Sequence, residues 1–111
     1  MITIPLNTAP SQELQIILND QECTISVYQK LGSVFLDLIV GETDIQRGAL
    51  CNNRLPIITA VTNDFEGNLY FVDTLGMSDP VADGVGDRYI LLYATPEEVE
   101  EINDIILSQG S

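Results

Sequence analysis

The chain has 111 residues, 45% of them hydrophobic, and its seventeen acidic residues face only four basic ones, for a formal net charge of −13. That length and apolar content predict one domain, residues 1–111, with a core of its own. The charge excludes conventional binding to a phosphate backbone and disfavours an anionic membrane, and the lack of any histidine excludes a His-based triad or zinc site.

The first twenty residues hold Pro5, Pro10, Glu13 and Asp20, with no basic head and no long apolar run. Neither a secretory signal nor a membrane span is therefore expected. Ile2 to Leu6 alternates apolar and polar residues, and Pro5 marks it as an edge segment or an arm. Leu14, Ile16 and Leu18 alternate with Gln15, Ile17 and Asn19. Just beyond Asn19-Asp20, Cys23, Ile25 and Val27 alternate with Thr24, Ser26 and Tyr28. Two period-two runs with so short a connection predict an antiparallel hairpin.

Gly32-Ser33 turns the chain into Val34–Val40. Here Val34, Leu36, Leu38 and Val40 share one face, and Phe35, Asp37 and Ile39 the other. Burying an unpaired carboxylate is costly, so Asp37 makes the second face the wetter one. Phe35 and Ile39 then stand on an apolar face interrupted by a charge, which suits a partner or a second layer. Ile45 to Cys51 reads as a weaker strand broken by Gly48. Pro56 argues against a central strand in Leu55 to Val61, although Ile57 to Thr62 can pair as an edge.

The stretch from Gly67 to Tyr93 holds the strongest signals. Leu69–Val72 and Tyr89–Tyr93 are aromatic and branched, as strands are. Between them Gly76, Pro80, Gly84 and Gly86 forbid a helix and impose turns. The loop is longer than a hairpin needs, which marks it as a contact loop or a shaped corner. If the two strands pair, Asp73 and Arg88 meet at the base of the loop and form an ion pair; the other reading has Arg88 contacting a carboxylate on a neighbouring subunit. Tyr89, Leu91 and Tyr93 lie on one face of the second strand, Ile90 and Leu92 on the other. The strand should therefore be central, with core on one side and a helix or a partner on the other.

At the C-terminus the period changes. Thr95 is a helix N-cap, Pro96 the first helical residue, and Glu98 the third. Glu97, Glu98, Glu100 and Glu101 complement the positive end of the helix dipole. Val99, Ile102, Ile105 and Ile106 make the apolar stripe of a helix over 95–108 that packs as an amphipathic lid on the strands of 1–94. The fold class expected is mainly β, a small antiparallel barrel or sandwich of about seven short strands with one C-terminal amphipathic helix.

No constellation carries catalysis. Cys23 and Cys51 read as buried thiols packing as small hydrophobes. Asp73, Asp79, Asp83 and Asp87 suggest calcium, but a spacing of four fits no EF-hand and loop aspartates are ordinary turn formers. Gly84-Val85-Gly86 lacks the third glycine, the lysine and the helix of a phosphate cradle. No cofactor and no metal is expected, and no enzyme.

One family resemblance remains. Ile4-Pro5-Leu6, Tyr28-Gln29-Lys30 and Asp37-Leu38 are part of it. Its most specific part is Gly67, Leu69, Phe71-Val72-Asp73-Thr74, Gly76, Asp79-Pro80, Gly84, Gly86, Arg88-Tyr89, Leu91 and Tyr93. In these residues the chain resembles the baseplate plug proteins of contractile-tailed phages, over nearly its whole length up to Tyr93. Residues 95 to 111 carry no such likeness. The resemblance implies a structural virion protein of the tail baseplate, assembled in the host cytoplasm. It would sit on the tail axis between tube and hub or spike as a plug or adaptor. Its partners would be further copies of itself and the hub and tube proteins, without sequence-specific nucleic acid or membrane. The assembly candidates are Phe35, Ile39, Asp73, Asp79, Pro80, Gly84, Gly86, Arg88, Tyr89 and Tyr93. An acidic DNA mimic that inhibits a host DNA-binding protein is the alternative, resting on charge alone. A monomeric ligand-binding barrel is a third reading.

Overall fold

The computed structural model describes residues 1–9, 11–59 and 64–109, with residues 82 and 103–109 described by their backbone alone. Three two-residue connections build the first sheet. Asn19 and Asp20 both have positive φ (51° and 61°), and so do Leu31 and Gly32 (53° and 82°). Positive φ at both central positions is the signature of type I′ turns, whose twist matches that of the flanking strands. They join β2 (Gln12–Leu18) to β3 (Gln21–Lys30) and β3 to β4 (Ser33–Val40). Gly41, with φ of 60°, opens the third turn, into β5 (Thr43–Leu50). The four strands form a meander in the order β2-β3-β4-β5.

The second sheet draws its strands from widely separated parts of the chain. β1 (Ile2–Ile4) and β6 (Asn68–Asp73) both pair antiparallel with β7 (Tyr89–Ala94), which is central, as its two apolar faces require. The two sheets are not closed on each other by strand pairing, so of barrel and sandwich the sandwich is the architecture. Between the sheets lies one core. Ile25, Leu36 and Leu38 come from the first sheet, Ile4, Leu69, Phe71 and Leu91 from the second, and all are essentially inaccessible to solvent.

Parity in β4 is as the sequence implies. Val34, Leu36 and Leu38 are buried, while Phe35, Asp37 and Ile39 are half-buried on the outer face. On β7, Tyr89, Leu91 and Tyr93 are buried, but Ile90 and Leu92 are only half covered. The weak fifth strand is real, and Gly48 does not end it. The register between β4 and β5 slips twice, between Leu36 and Leu38 and between Leu38 and Ile39. Gly48, with φ of 65°, takes up the distortion.

One expectation needs correction. Ile57 to Thr59 forms no strand; instead the segment runs beside β6, with the Ile57 N–H donating to the Leu69 carbonyl at 2.9 Å. The remainder of that expected strand, 60–62, lies outside the described residues.

The helix α1 (Pro96–Gln109) begins where expected. Thr95 and Glu98 cap each other: the Glu98 N–H donates to Thr95 Oγ1 at 3.4 Å, and the Thr95 N–H to Glu98 Oε1 at 3.1 Å. The Met1 amine also pairs with Glu98. Val99 and Ile102 are half-buried, and the side chains of Ile105 and Ile106 lie outside the described residues.

Two measurements test this packing. Leu36→Ala should lower the unfolding free energy by about 3 kcal/mol in urea titrations, whereas Leu75→Ala, at a position 78% exposed, should stay within about 0.5 kcal/mol of the parent. Burial pushes the Cys51 thiol up to about 12 and raises Cys23 as well. A thiol reagent at pH 8 should therefore label neither cysteine until denaturant is added, and both thereafter.

Candidate functional site

β6 ends on Asp73, which the register places opposite Tyr89 at the start of β7. Arg88 is the last residue of the intervening loop. Its guanidinium grips the Asp73 carboxylate with two hydrogen bonds, Nε to Oδ1 and Nη2 to Oδ2, both 2.7 Å. The carboxylate is completely shielded from solvent. It also accepts the Leu75 N–H on Oδ1 and the Ser78 N–H on Oδ2, each at 2.9 Å, and the Ser78 hydroxyl on Oδ2 at 3.0 Å. With its proton committed to Asp73, the Ser78 oxygen is left to accept from the Tyr89 hydroxyl at 2.7 Å and from Arg88 Nη2 at 3.2 Å. The guanidinium also lies 5.2 Å from the centre of the Tyr89 ring. Hydrogen bonding to Arg88 holds Asp73 far below the usual carboxylate range, against the opposing effect of burial.

The loop is therefore built around a buried anion. A second strap fixes it from the side. Asn53 Oδ1 accepts the Asp73 N–H, and the Asn53 N–H donates to Asp79 Oδ1, each at 2.8 Å. The loop then passes a buried Pro80, a short 3-10 turn at Ala82–Gly84, and Val85, which bridges to Tyr89. Two glycines are required by close approach. A Cβ on Gly84 would stand 2.5 Å from the Tyr89 ring, and one on Gly86, at φ 83°, 2.5 Å from the Asn7 carbonyl oxygen. The frame presents outward a mixed surface: Leu75 and Met77 are nearly four-fifths exposed and Val81 about half, beside the exposed Asp79, Asp83 and Asp87.

This loop, its glycines and the strands beneath it coincide with a known sequence pattern. The profile of the family described as "Cyanophage baseplate Pam3 plug gp18" matches residues 1–97. The chain belongs to this family. No curated protein matches it. Membership gives the chain a structural part in a phage tail baseplate and speaks against an enzyme. The match takes in both sheets and the Asp73 network, and it ends in the first residues of α1.

Within this plug-family framework the remaining candidates lie in two places. Tyr93 is buried beneath the second sheet, its hydroxyl donating to the Glu66 carbonyl at 2.6 Å and its ring edge-on to Phe65. Phe35 and Ile39 stand on the outer face of the first sheet, apart from the loop. Phe35 stacks on Tyr28 with ring centres 6.1 Å apart. Between them Asp37 accepts the Tyr28 hydroxyl at 2.9 Å and the Gly48 N–H at 2.7 Å, with Arg47 3.7 Å away. The charge that makes this face wet thus also ties down the bulge of β5. Asp83 and Asp87 are exposed, and no cluster of metal-ligating side chains occurs among the described residues.

Sequence reasoning reached the Asp73–Arg88 pair but missed Asn53 and Ser78. Neither has a distinguishing neighbour pattern; each matters only once β6, the 51–59 segment and the loop are brought together.

Asp73→Asn should lower the melting temperature by about 5 °C or more at pH 7. The pH dependence has a definite sign. The folded carboxyl is held below its unfolded value of about 4, so its contribution is complete above that pH and declines as pH falls below it. The gap between parent and Asp73→Asn melting temperatures should therefore be constant from pH 7 to pH 5 and narrow toward pH 3 in thermal scans.

Proposed function

We propose that this protein is an axial component of the tail baseplate, placed between the tube and the hub or spike as a plug or adaptor. It acts through protein–protein assembly alone: copies of the chain associate around the axis and contact hub and tube proteins. Assembly takes place in the host cytoplasm, and the reading involves no cofactor, no membrane and no sequence-specific nucleic acid. The observation that carries it is the family match over residues 1–97, which includes every residue of the Asp73 network.

The geometry supports a contact role. A loop pre-ordered by a buried ion pair loses little conformational entropy on binding, and it carries exposed Leu75 and Met77. On this reading Asp73, Gly84, Gly86, Arg88 and Tyr89 shape the contact, Asp79 and Pro80 belong to the presented loop, and Tyr93 anchors the strand beneath it. Phe35 and Ile39 supply a separate surface on the other sheet. The net charge of −13 fits a passage for DNA, since acidic walls offer phosphates no counterion-releasing contacts.

Quantitative mass spectrometry of purified particles of the encoding phage tests the assignment. The expected result is a few copies per particle, in fixed ratio to the tail-tip proteins. Absence from particles together with abundance in infected cytoplasm would overturn it and favour the acidic DNA-mimic inhibitor.

A further inference from the structure

Each sheet edge of the sandwich but one is blunted. The open edge of β6 is covered by the 53–57 segment, through a bridge from Asn53 to Phe71 and bonds from Arg54 N–H to the Phe71 carbonyl and Ile57 N–H to the Leu69 carbonyl. β5 is distorted by its bulge, and Gln46 on it is bonded to Ile57 and Thr59. β1 has three residues and is followed by Pro5. β2 has seven residues, an unbroken register with β3, and neither proline, lysine nor bulge. Of the usual devices against edge-to-edge pairing it carries only one charge, the exposed Glu13.

The direction of its free groups follows from the sheet. The Glu22 carbonyl accepts the Gly41 N–H, so Glu22 turns its backbone groups away from β2. Ile17, opposite Glu22, is then a non-hydrogen-bonded partner, and its own N–H and C=O point to the open edge. By alternation those of Gln15 and Glu13 do the same. Among the described residues nothing bonds to these groups on that side.

We propose that the β2 edge pairs with the β2 edge of a second copy, antiparallel and centred on Gln15, to make one continuous sheet across two chains. The register is self-complementary. Gln15 faces Gln15, Glu13 of each copy faces Ile17 of the other, and Leu14 faces Ile16. The outward N–H and C=O groups of Glu13, Gln15 and Ile17 then form about six hydrogen bonds. No acid meets an acid directly, Ile17, now 66% exposed, gains a neighbour, and the half-buried Leu14 and Ile16 extend the core across the junction. A shift to a Glu13–Glu13 centre would oppose two carboxylates. The contact is isologous and closes at two copies, so any larger ring uses another surface as well. Because both chains carry −13, pairing strengthens with salt, the reverse of docking onto a basic partner.

The edge pairing does not rest on the baseplate reading; a chain found in particles but monomeric in solution would sink the first and leave the second standing. The test uses the full chain with Gln15→Cys or Glu13→Cys, both exposed positions, under mild oxidation, the native thiols being buried. Gln15→Cys should form a covalent dimer at least tenfold faster than Glu13→Cys, faster still at high salt. Ile17→Lys added to Gln15→Cys should slow that trapping at least tenfold while leaving the melting temperature essentially unchanged. Sedimentation of the unmodified chain should show a monomer–dimer equilibrium favoured by salt. Equal trapping rates for the two cysteines, or a strict monomer at every salt concentration up to about 0.5 mM protein, would overturn the proposal.

Discussion

A carboxylate shut away from water has to find every partner inside the protein, and the architecture around the loop follows from how Asp73 does so. One arginine supplies two donors, Ser78 two and Leu75 one. An anion with that many donors is stable where it sits, but removing any one donor leaves the others aimed at an imbalanced site. The loop backbone at Leu75 and Ser78 is therefore committed to one path, and residues 76 and 77 are carried out into solvent between these two anchors. The same pair staples the ends of β6 and β7 together at the point where their ladder stops, which the Thr74 N–H and hydroxyl reinforce on the Arg88 carbonyl.

Tyr89 links this polar frame to the apolar core. Its ring is buried against the sheet, its hydroxyl completes the Ser78 oxygen, and the guanidinium covers its face. Gly84 has to be glycine because that ring lies where its side chain would be. The Gly84-Val85-Gly86 sequence, which superficially suggests a phosphate cradle, is thus explained by packing: one glycine yields to a tyrosine, the other to the Asn7 carbonyl, and Val85 between them is buried.

Much of this was legible in the chain because it depends on local or nearest-strand relations. The parity of β4 follows from alternation, the helix start from Thr95, Pro96 and Glu98, the central position of β7 from its two apolar faces, and the Asp73–Arg88 pair from the assumption that two adjacent strands pair. What escaped depends on contacts between distant segments. Asn53 serves β6 and Asp79 at once, and no propensity marks an asparagine for that. Ile57–Thr59 has strand-like composition, yet it contributes single bonds to β6 and to Gln46 of β5 instead of a ladder; Pro56 beside it interrupts the continuous donation a ladder needs. Leu31 adopts φ of 53° although it is neither glycine nor asparagine, because the two-residue turn between β3 and β4 imposes it. Its side chain is left 96% exposed, so nothing but the turn holds it there.

The helix stands in contrast to the loop. α1 is tied to the sandwich by its cap, by the Met1 amine on Glu98, and by the half-buried Val99 and Ile102. The family pattern ends at residue 97, where the cap has been set but the body of the helix has barely begun. The two sheets share a core whose largest fully buried members, from Ile4 to Tyr93, all come from the strands, and the described side chains of α1, Val99 and Ile102, are only half-buried beside it. The Asp73 network is self-contained in another way: its donors come from the loop itself and its register from the strands that carry it.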